Sequence, residues 1–222
     1  MLLIVDIYKI AHKIAREMTG ASEVVFRRIK PEMYEAMDVE MTTTPMAKGS
    51  SSAVFENRKG NIVSFFLHPK SSFDVVKEFV GKDLSSLPKI FQAKEFKIER
   101  AHEKPAYMYA IEMEKLQPLD IEEQWYFHEF VNDMSIYDWY LEPGGLNTPK
   151  SEKKKQEFMN DPFGREMVDL IERLTKEGLV HRDLHRENIA WTREGKLKAI
   201  DLQSIDKKMG DPIAQTIKSQ IG

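Results

Sequence analysis

The feature that most constrains this chain is a polar run of eight residues, His181-Arg182-Asp183-Leu184-His185-Arg186-Glu187-Asn188. Before it, apolar residues at 163, 167, 168, 170, 171 and 174 give residues 163–176 the period of a core-facing helix, which Gly178 stops. After it come two short strand-like pieces, Ile189–Trp191 and Leu197–Ile200, with Thr192-Arg193-Glu194-Gly195 as the turn between them. Asn188 lies 5 positions after Asp183, and Asp201 lies 18 after it. A hairpin between residues 188 and 201 brings its two ends together.

The remaining sequence sets the frame. A chain of 222 residues makes one or two domains and can bury a sizeable core. With 41% hydrophobic and 31% charged residues it is neither collagen-like nor generally disordered. Lys and Arg number 33 against 36 Asp and Glu, so nothing global points to a nucleic-acid or membrane-surface partner. The absence of cysteine excludes disulfides and thiolate metal sites. The apolar start Met1–Val5 is cut by Asp6 and Lys9, too soon for a signal peptide, and no stretch approaches the ~20 apolar residues of a membrane span. A soluble, cytoplasmic protein is expected.

Along the chain, Ile7, Ile10, Ala11, Ile14, Ala15 and Met18 predict an amphipathic helix over residues 2–19 that packs on the body. Val24-Val25-Phe26 reads as a short strand, residues 32–37 as weakly helical and 42–45 as loop. Ala53–Phe55 and Ile62–Leu67 read as strands around the turn Asn57-Arg58-Lys59-Gly60-Asn61. Ser72 is the expected cap of a helix from Phe73 to Val80, ended by Gly81. Residues 91–100 and 106–112 read as two more antiparallel strands. Helices are expected to dominate after Leu116, including a long aromatic-rich one over 121–140. Its aromatic residues, Trp125, Tyr126, Phe127, Tyr137, Trp139 and Tyr140, suit a core or a contact surface. The charge run 150–157 reads as a solvated helix or loop.

The polar run and Asp201 resemble the catalytic loop and metal-binding aspartate of the protein-kinase-like fold, whose pattern is H-R-D-L-x-x-x-N, a hairpin, then D-F-G. The resemblance covers residues 46–205 and is strong over 163–203. It implies an α+β, two-lobed fold. Residues 1–45 would be a helical extension, 46–116 a small antiparallel N-lobe and 117–222 a truncated helical C-lobe. It implies ATP and Mg²⁺ as cofactors and a protein substrate or partner. Asp183 would be the catalytic base, with Arg182 and His185 beside it, and Asn188 and Asp201 the metal ligands. His181 would brace the backbone near Asp201. Residues 47–55 resemble the glycine-rich nucleotide loop, with Gly49, Ser50, Ser51 and Val54 as contacts. Met113-Glu114-Lys115-Leu116 resembles the hinge, with Glu114 and Leu116 facing adenine. Glu78 would be the ion-pair glutamate of the helix that packs on this sheet.

Four departures qualify the resemblance. The third-strand lysine is missing: Ser64 or Phe66 stands at its place, with Lys70 and Lys48 as displaced candidates. D-F-G reads Asp201-Leu202-Gln203, where glutamine restricts the backbone more than glycine. His185 replaces the lysine usual in protein kinases, as in small-molecule kinases. Only 21 residues follow Asp201, which leaves no room for a phosphorylatable activation loop and predicts that Arg182 has no such phosphate to bind. Three functions stay open: a minimal Ser/Thr protein kinase, a pseudokinase-like binding protein acting through a partner, and a small-molecule kinase.

Overall fold

The computed structural model describes residues 25–48, 52–67, 70–98, 106–126, 156 and 160–207. The expected helices over 2–19 and most of 121–140, the charge run and the chain after Lys207 lie outside the described residues. The architecture is α+β with antiparallel sheets, and the chain divides into two compact units. Unit 1 holds Met1–Leu84 and Pro88–Lys115; unit 2 holds Ser85–Leu87 and Leu116–Gly222. Among the described residues no helix is long and apolar enough to cross a membrane.

In unit 1, helix α1 (Pro31–Ala36) precedes strands β1 (Ala47–Lys48), β2 (Ser52–Glu56) and β3 (Ile62–Phe66), helix α2 (Lys70–Lys77) and strands β4 (Ile90–Ile98) and β5 (Ala106–Met113). The strands form one antiparallel sheet in the order β1-β2-β3-β5-β4. Alternation gives the sheet two faces. Ala53, Phe55, Val63, Phe65, Met108 and Ala110 pack with Val25, Phe26, Met33, Tyr34 and Met37. On the other face Phe66, Phe73 of α2 and Tyr109 cluster, with the Phe73 and Tyr109 ring centres 4.6 Å apart. The β2–β3 hairpin forms as its turn residues predict. Asn57 Oδ1 accepts from the N–H groups of Lys59 and Asn61, both at 3.0 Å, and Gly60 takes the left-handed φ of +79° that a side chain would resist.

Two local expectations are corrected. Val25 and Phe26 are helical, not a strand: Arg28 and Ile29 N–H bond back to their carbonyls, and both side chains are buried. Three apolar residues in a row carry no period that could separate the two forms. Helix α2 runs from Lys70 to Lys77, so Ser72 is a buried residue inside it and not its cap.

In unit 2, β6 (Gln117–Pro118) precedes helical residues 121–126, where Asp120 and Glu123 cap one another's backbone N–H groups. Helix α3 (Pro162–Lys176) starts at Asp161, whose carboxylate accepts from the N–H groups of Phe163 and Gly164. It buries Met167, Val168, Leu170, Ile171 and Leu174, the stripe read from sequence. Then follow β7 (Leu179–His181), β8 (Ile189–Trp191), β9 (Leu197–Ala199), a 3-10 turn (Leu202–Ser204) and β10 (Ile205–Lys207). β6, β8 and β9 form one antiparallel sheet, while β10 pairs with β7.

Candidate functional site

The polar run occupies the loop between β7 and β8, and backbone geometry fixes both its ends. At the start, His181 pairs with Ile205 across β7–β10, and Arg182 N–H donates to the Ser204 carbonyl at 2.8 Å. In the middle, Leu184 is buried and anchors the loop to the core. At the end, Asn188 N–H donates to the His185 carbonyl, and the Asn188 carbonyl accepts from Ile200 N–H, both at 2.8 Å. That last bond continues the β8–β9 ladder to the residue before Asp201. The hairpin therefore returns the chain beside Asn188 as its sequence predicts.

The side chains complete the loop. Asn188 Nδ2 donates to the Asp183 carbonyl at 2.8 Å, closing the five-residue step. An amide whose nitrogen is held this way presents its oxygen on the opposite arm. The Asp183 carboxylate is exposed, and its Oδ2 lies 3.5 Å from His185 Nε2. His185 Nδ1 accepts from Glu187 N–H at 3.2 Å, while Asn188 Nδ2 lies 2.8 Å from Nε2. A neutral imidazole carries one proton. On Nδ1 that proton would forfeit the Glu187 bond, while on Nε2 it faces Asp183 Oδ2 but gives the Asn188 Nδ2 donor no acceptor there.

His181 is buried, and its Nδ1 accepts from Asp183 N–H at 3.3 Å. Burial pushes its pKa down to about 3, helped by the nearby His185, while the backbone of Asp201 exerts a weaker upward pull. Its Nε2 is buried and, among the described residues, makes no well-formed hydrogen bond. This neutral ring sits under the loop and holds the backbone at Asp183.

Asp201 precedes the 3-10 turn, and Ser204 Oγ donates to its Oδ2 at 2.9 Å. Burial raises its carboxyl above the usual carboxylate range, against the downward pull of hydrogen bonds from Ser204 and Gln203; the charge of Asp183 adds to the rise. Leu202 is buried and Gln203 lies in the 3-10 turn. Gln203 does not take a left-handed φ, so glutamine imposes no strain there. Arg182 pairs through Nε with Asp206 of β10, so its charge is met by a carboxylate of the chain itself.

The other expected site residues are less assembled. Gly49, Ser50 and Ser51 lie outside the described residues. Val54 is half-buried in β2 and pairs with Ser64. Glu78 is exposed, in the turn after α2 and not on the helix. Glu114 exchanges two bonds with the Lys89 backbone: its N–H donates to the carbonyl and its Oε1 accepts from the N–H, both at 2.9 Å. Leu116 is half-buried. Ser64 pairs with Val54 and Ile111, and Phe66 is buried, so neither third-strand position offers a cation. Lys70 Nζ is held by Asp74 at 2.6 Å and lies 3.9 Å from Glu95 of β4. Lys48 pairs with Ala53 in β1. Of the aromatic cluster, Trp125 is 59% exposed beneath the Arg186 guanidinium at 5.3 Å, and Tyr126 packs on Phe163; the other four residues lie outside the described region.

Asn188 and Asp201 fit a divalent cation chemically. One offers an amide oxygen, and the other a carboxylate whose charge burial disfavours and a cation would relieve. Among the described residues no three His, Asp or Glu side chains converge to hold a metal unaided. Phosphate and water oxygens would have to complete the shell.

Sequence reasoning missed Ser204, Asp206 and a carboxylate network on α3. Glu166 and Arg173 stand two helical turns apart beside the apolar stripe, a spacing that places both on one face. Compared with known proteins, the chain matches no family model and no curated protein.

Proposed function

We propose that the chain is an ATP- and Mg²⁺-dependent phosphotransferase of the protein-kinase-like fold, acting as a minimal Ser/Thr protein kinase. The observation that carries this reading is the closure of the 181–188 loop. Asn188 Nδ2 on the Asp183 carbonyl and Ile200 N–H on the Asn188 carbonyl bring Asp183, Asn188 and Asp201 into one neighbourhood. Asp183 presents an exposed carboxylate on a braced backbone, as a base that must reach a substrate hydroxyl requires.

In the reaction, the acceptor oxygen attacks the γ-phosphorus, the bond to the β–γ bridging oxygen breaks, and ADP leaves with that electron pair. Asp183 orients the hydroxyl and takes its proton. Asn188 Oδ1 and Asp201 would hold Mg²⁺, which neutralises charge on the phosphates.

Two observations keep other readings in view. Ser64 and buried Phe66 at the lysine place, with Lys70 tied to Asp74, favour a kinase-fold binding protein that works through a partner. His185 beside Asp183 favours a small-molecule acceptor.

The test is transfer from γ-labelled ATP with Mg²⁺, with and without a protein acceptor, comparing the chain with Asp183→Ala. Label should enter protein, and the variant should lose at least about 100-fold in rate, the low end for a positioned base. Equal labelling by the two proteins would overturn the assignment.

A further inference from the structure

We infer that Glu166 and Arg173 of α3 form a clamp that positions Asp201 relative to Asn188, which makes them positioning residues for the metal site; this rests on the phosphotransferase reading above.

The geometry is a double grip on one residue, at the two peptide units that flank it. Glu166 Oε1 accepts from Leu197 N–H at 3.1 Å, and Arg173 Nη2 donates to the Leu197 carbonyl at 2.7 Å. The two side chains also bond each other, Arg173 Nη2 to Glu166 Oε1 at 2.8 Å. Lys196 Nζ, largely exposed, closes on Glu166 Oε2 at 3.0 Å. The Glu166 side chain is 9% exposed and that of Arg173 16%. Hydrogen bonds to charged groups at this depth are stronger and more directional than those at the surface.

Leu197 is where the grip matters. It opens β9 opposite Trp191 and stands four residues before Asp201. A residue held at both its N–H and its C=O cannot slide along the ladder, and a one-residue slip would turn every following side chain to the other face. The far end of β9 is pinned separately. Ala199 N–H donates to the Ser86 carbonyl at 2.9 Å, and Glu177, at the end of α3, accepts from Ser85 N–H at 2.8 Å and from both serine hydroxyls. One helix thus holds both ends of the strand that delivers Asp201.

The cost of the arrangement supports a positional role. Arg173 Nε is buried with no hydrogen-bond partner among the described residues. A buried ion pair with an unmatched N–H is a poor source of stability compared with apolar packing. What it supplies is a fixed height for Leu197.

The test uses the full chain carrying Glu166→Ala, Glu166→Gln, Arg173→Met or Arg173→Lys. Phosphate transfer from γ-labelled ATP is measured across a Mg²⁺ series, together with amide hydrogen exchange at Leu197 and Ile200. Glu166→Ala and Arg173→Met should raise the Mg²⁺ concentration for half-maximal rate about tenfold and speed both amides by a similar factor, the loss of one strong buried hydrogen bond. Glu166→Gln keeps an acceptor for Leu197 N–H and should recover most of the wild-type Mg²⁺ response. If the alanine and methionine variants fail to fold, Glu166→Gln and Arg173→Lys still report smaller shifts in the same direction. Unchanged Mg²⁺ dependence in variants that transfer phosphate overturns the clamp, as does unchanged exchange at Leu197 and Ile200. A wild-type chain that transfers no phosphate sinks the phosphotransferase reading instead, and the exchange measurement then decides the clamp alone.

Discussion

Asp201 carries a charge that its own fold disfavours. Burial raises its carboxyl above the ordinary 3.8, so just above that pH the folded chain keeps a proton that the unfolded chain has released. Stability therefore falls as pH rises through the window between the two values, and the full cost is present above the folded value. Asp201→Asn removes that cost. In EDTA at neutral pH the variant should melt at a higher temperature than the wild type, and the gain should shrink as pH falls toward 3.8. The same variant should lose Mg²⁺-dependent transfer. Melting curves from pH 4 to 8 in EDTA check this, and a variant less stable at pH 7 would contradict a charge that burial disfavours more than its hydrogen bonds favour. At this scale Asp183, Asn188 and Asp201 were legible because short, ordered spacing within one loop and hairpin decides where they fall. Asp206 and Glu166 were not, because each is defined by a partner that only strand pairing or helix packing brings near, whereas Ser204 meets Asp201 through a turn three residues long that carries no period to read.

Glu112 shows how one side chain can secure an element. It lies in β5 at 4% exposure, and its Oε1 accepts from Asn57 Nδ2 at 2.9 Å and Asn61 Nδ2 at 2.8 Å. The β2–β3 turn is thereby tied to β5, an interior strand of its sheet. Glu112→Ala leaves two buried or half-buried amide groups without an acceptor and should cost about 3 kcal/mol, while Glu112→Gln should cost clearly less. Urea denaturation followed by far-UV circular dichroism measures both, and equal stabilities would show that the turn holds itself. The turn was legible because the chemistry of Asn57, Gly60 and Asn61 is local; its buried carboxylate partner, 55 residues from Asn57, was not. Strands β6, β7 and β10, of two or three residues each, are too short to show any period, and only pairing defines them. The start of α2 was misplaced because Ser72 looks like a cap, whereas packing buries it.

Across the whole chain, the α+β class was legible because strands, one helix and strands again precede a strongly periodic helix and a hairpin, and each pattern is long enough to read. Whether this frame holds a nucleotide is not written in the pattern, since β3 carries no lysine and no family model matches the chain. Ligand linkage separates the readings without requiring turnover. A ligand at 100 times its Kd adds about 2.7 kcal/mol to the state that binds it. For a chain of 222 residues each kcal/mol moves the midpoint by ~2–4 °C, so saturating Mg-ATP should raise Tm by on the order of 5–10 °C. Two compact units need not melt in one step. The shift should therefore appear in the transition that unfolds the 181–201 region, which hydrogen exchange at Ile200 identifies. ATP in EDTA should shift it far less, and Asp201→Asn should abolish the difference between the two conditions. A midpoint that ignores Mg-ATP at millimolar concentration would remove the phosphotransferase reading and leave the partner-binding one.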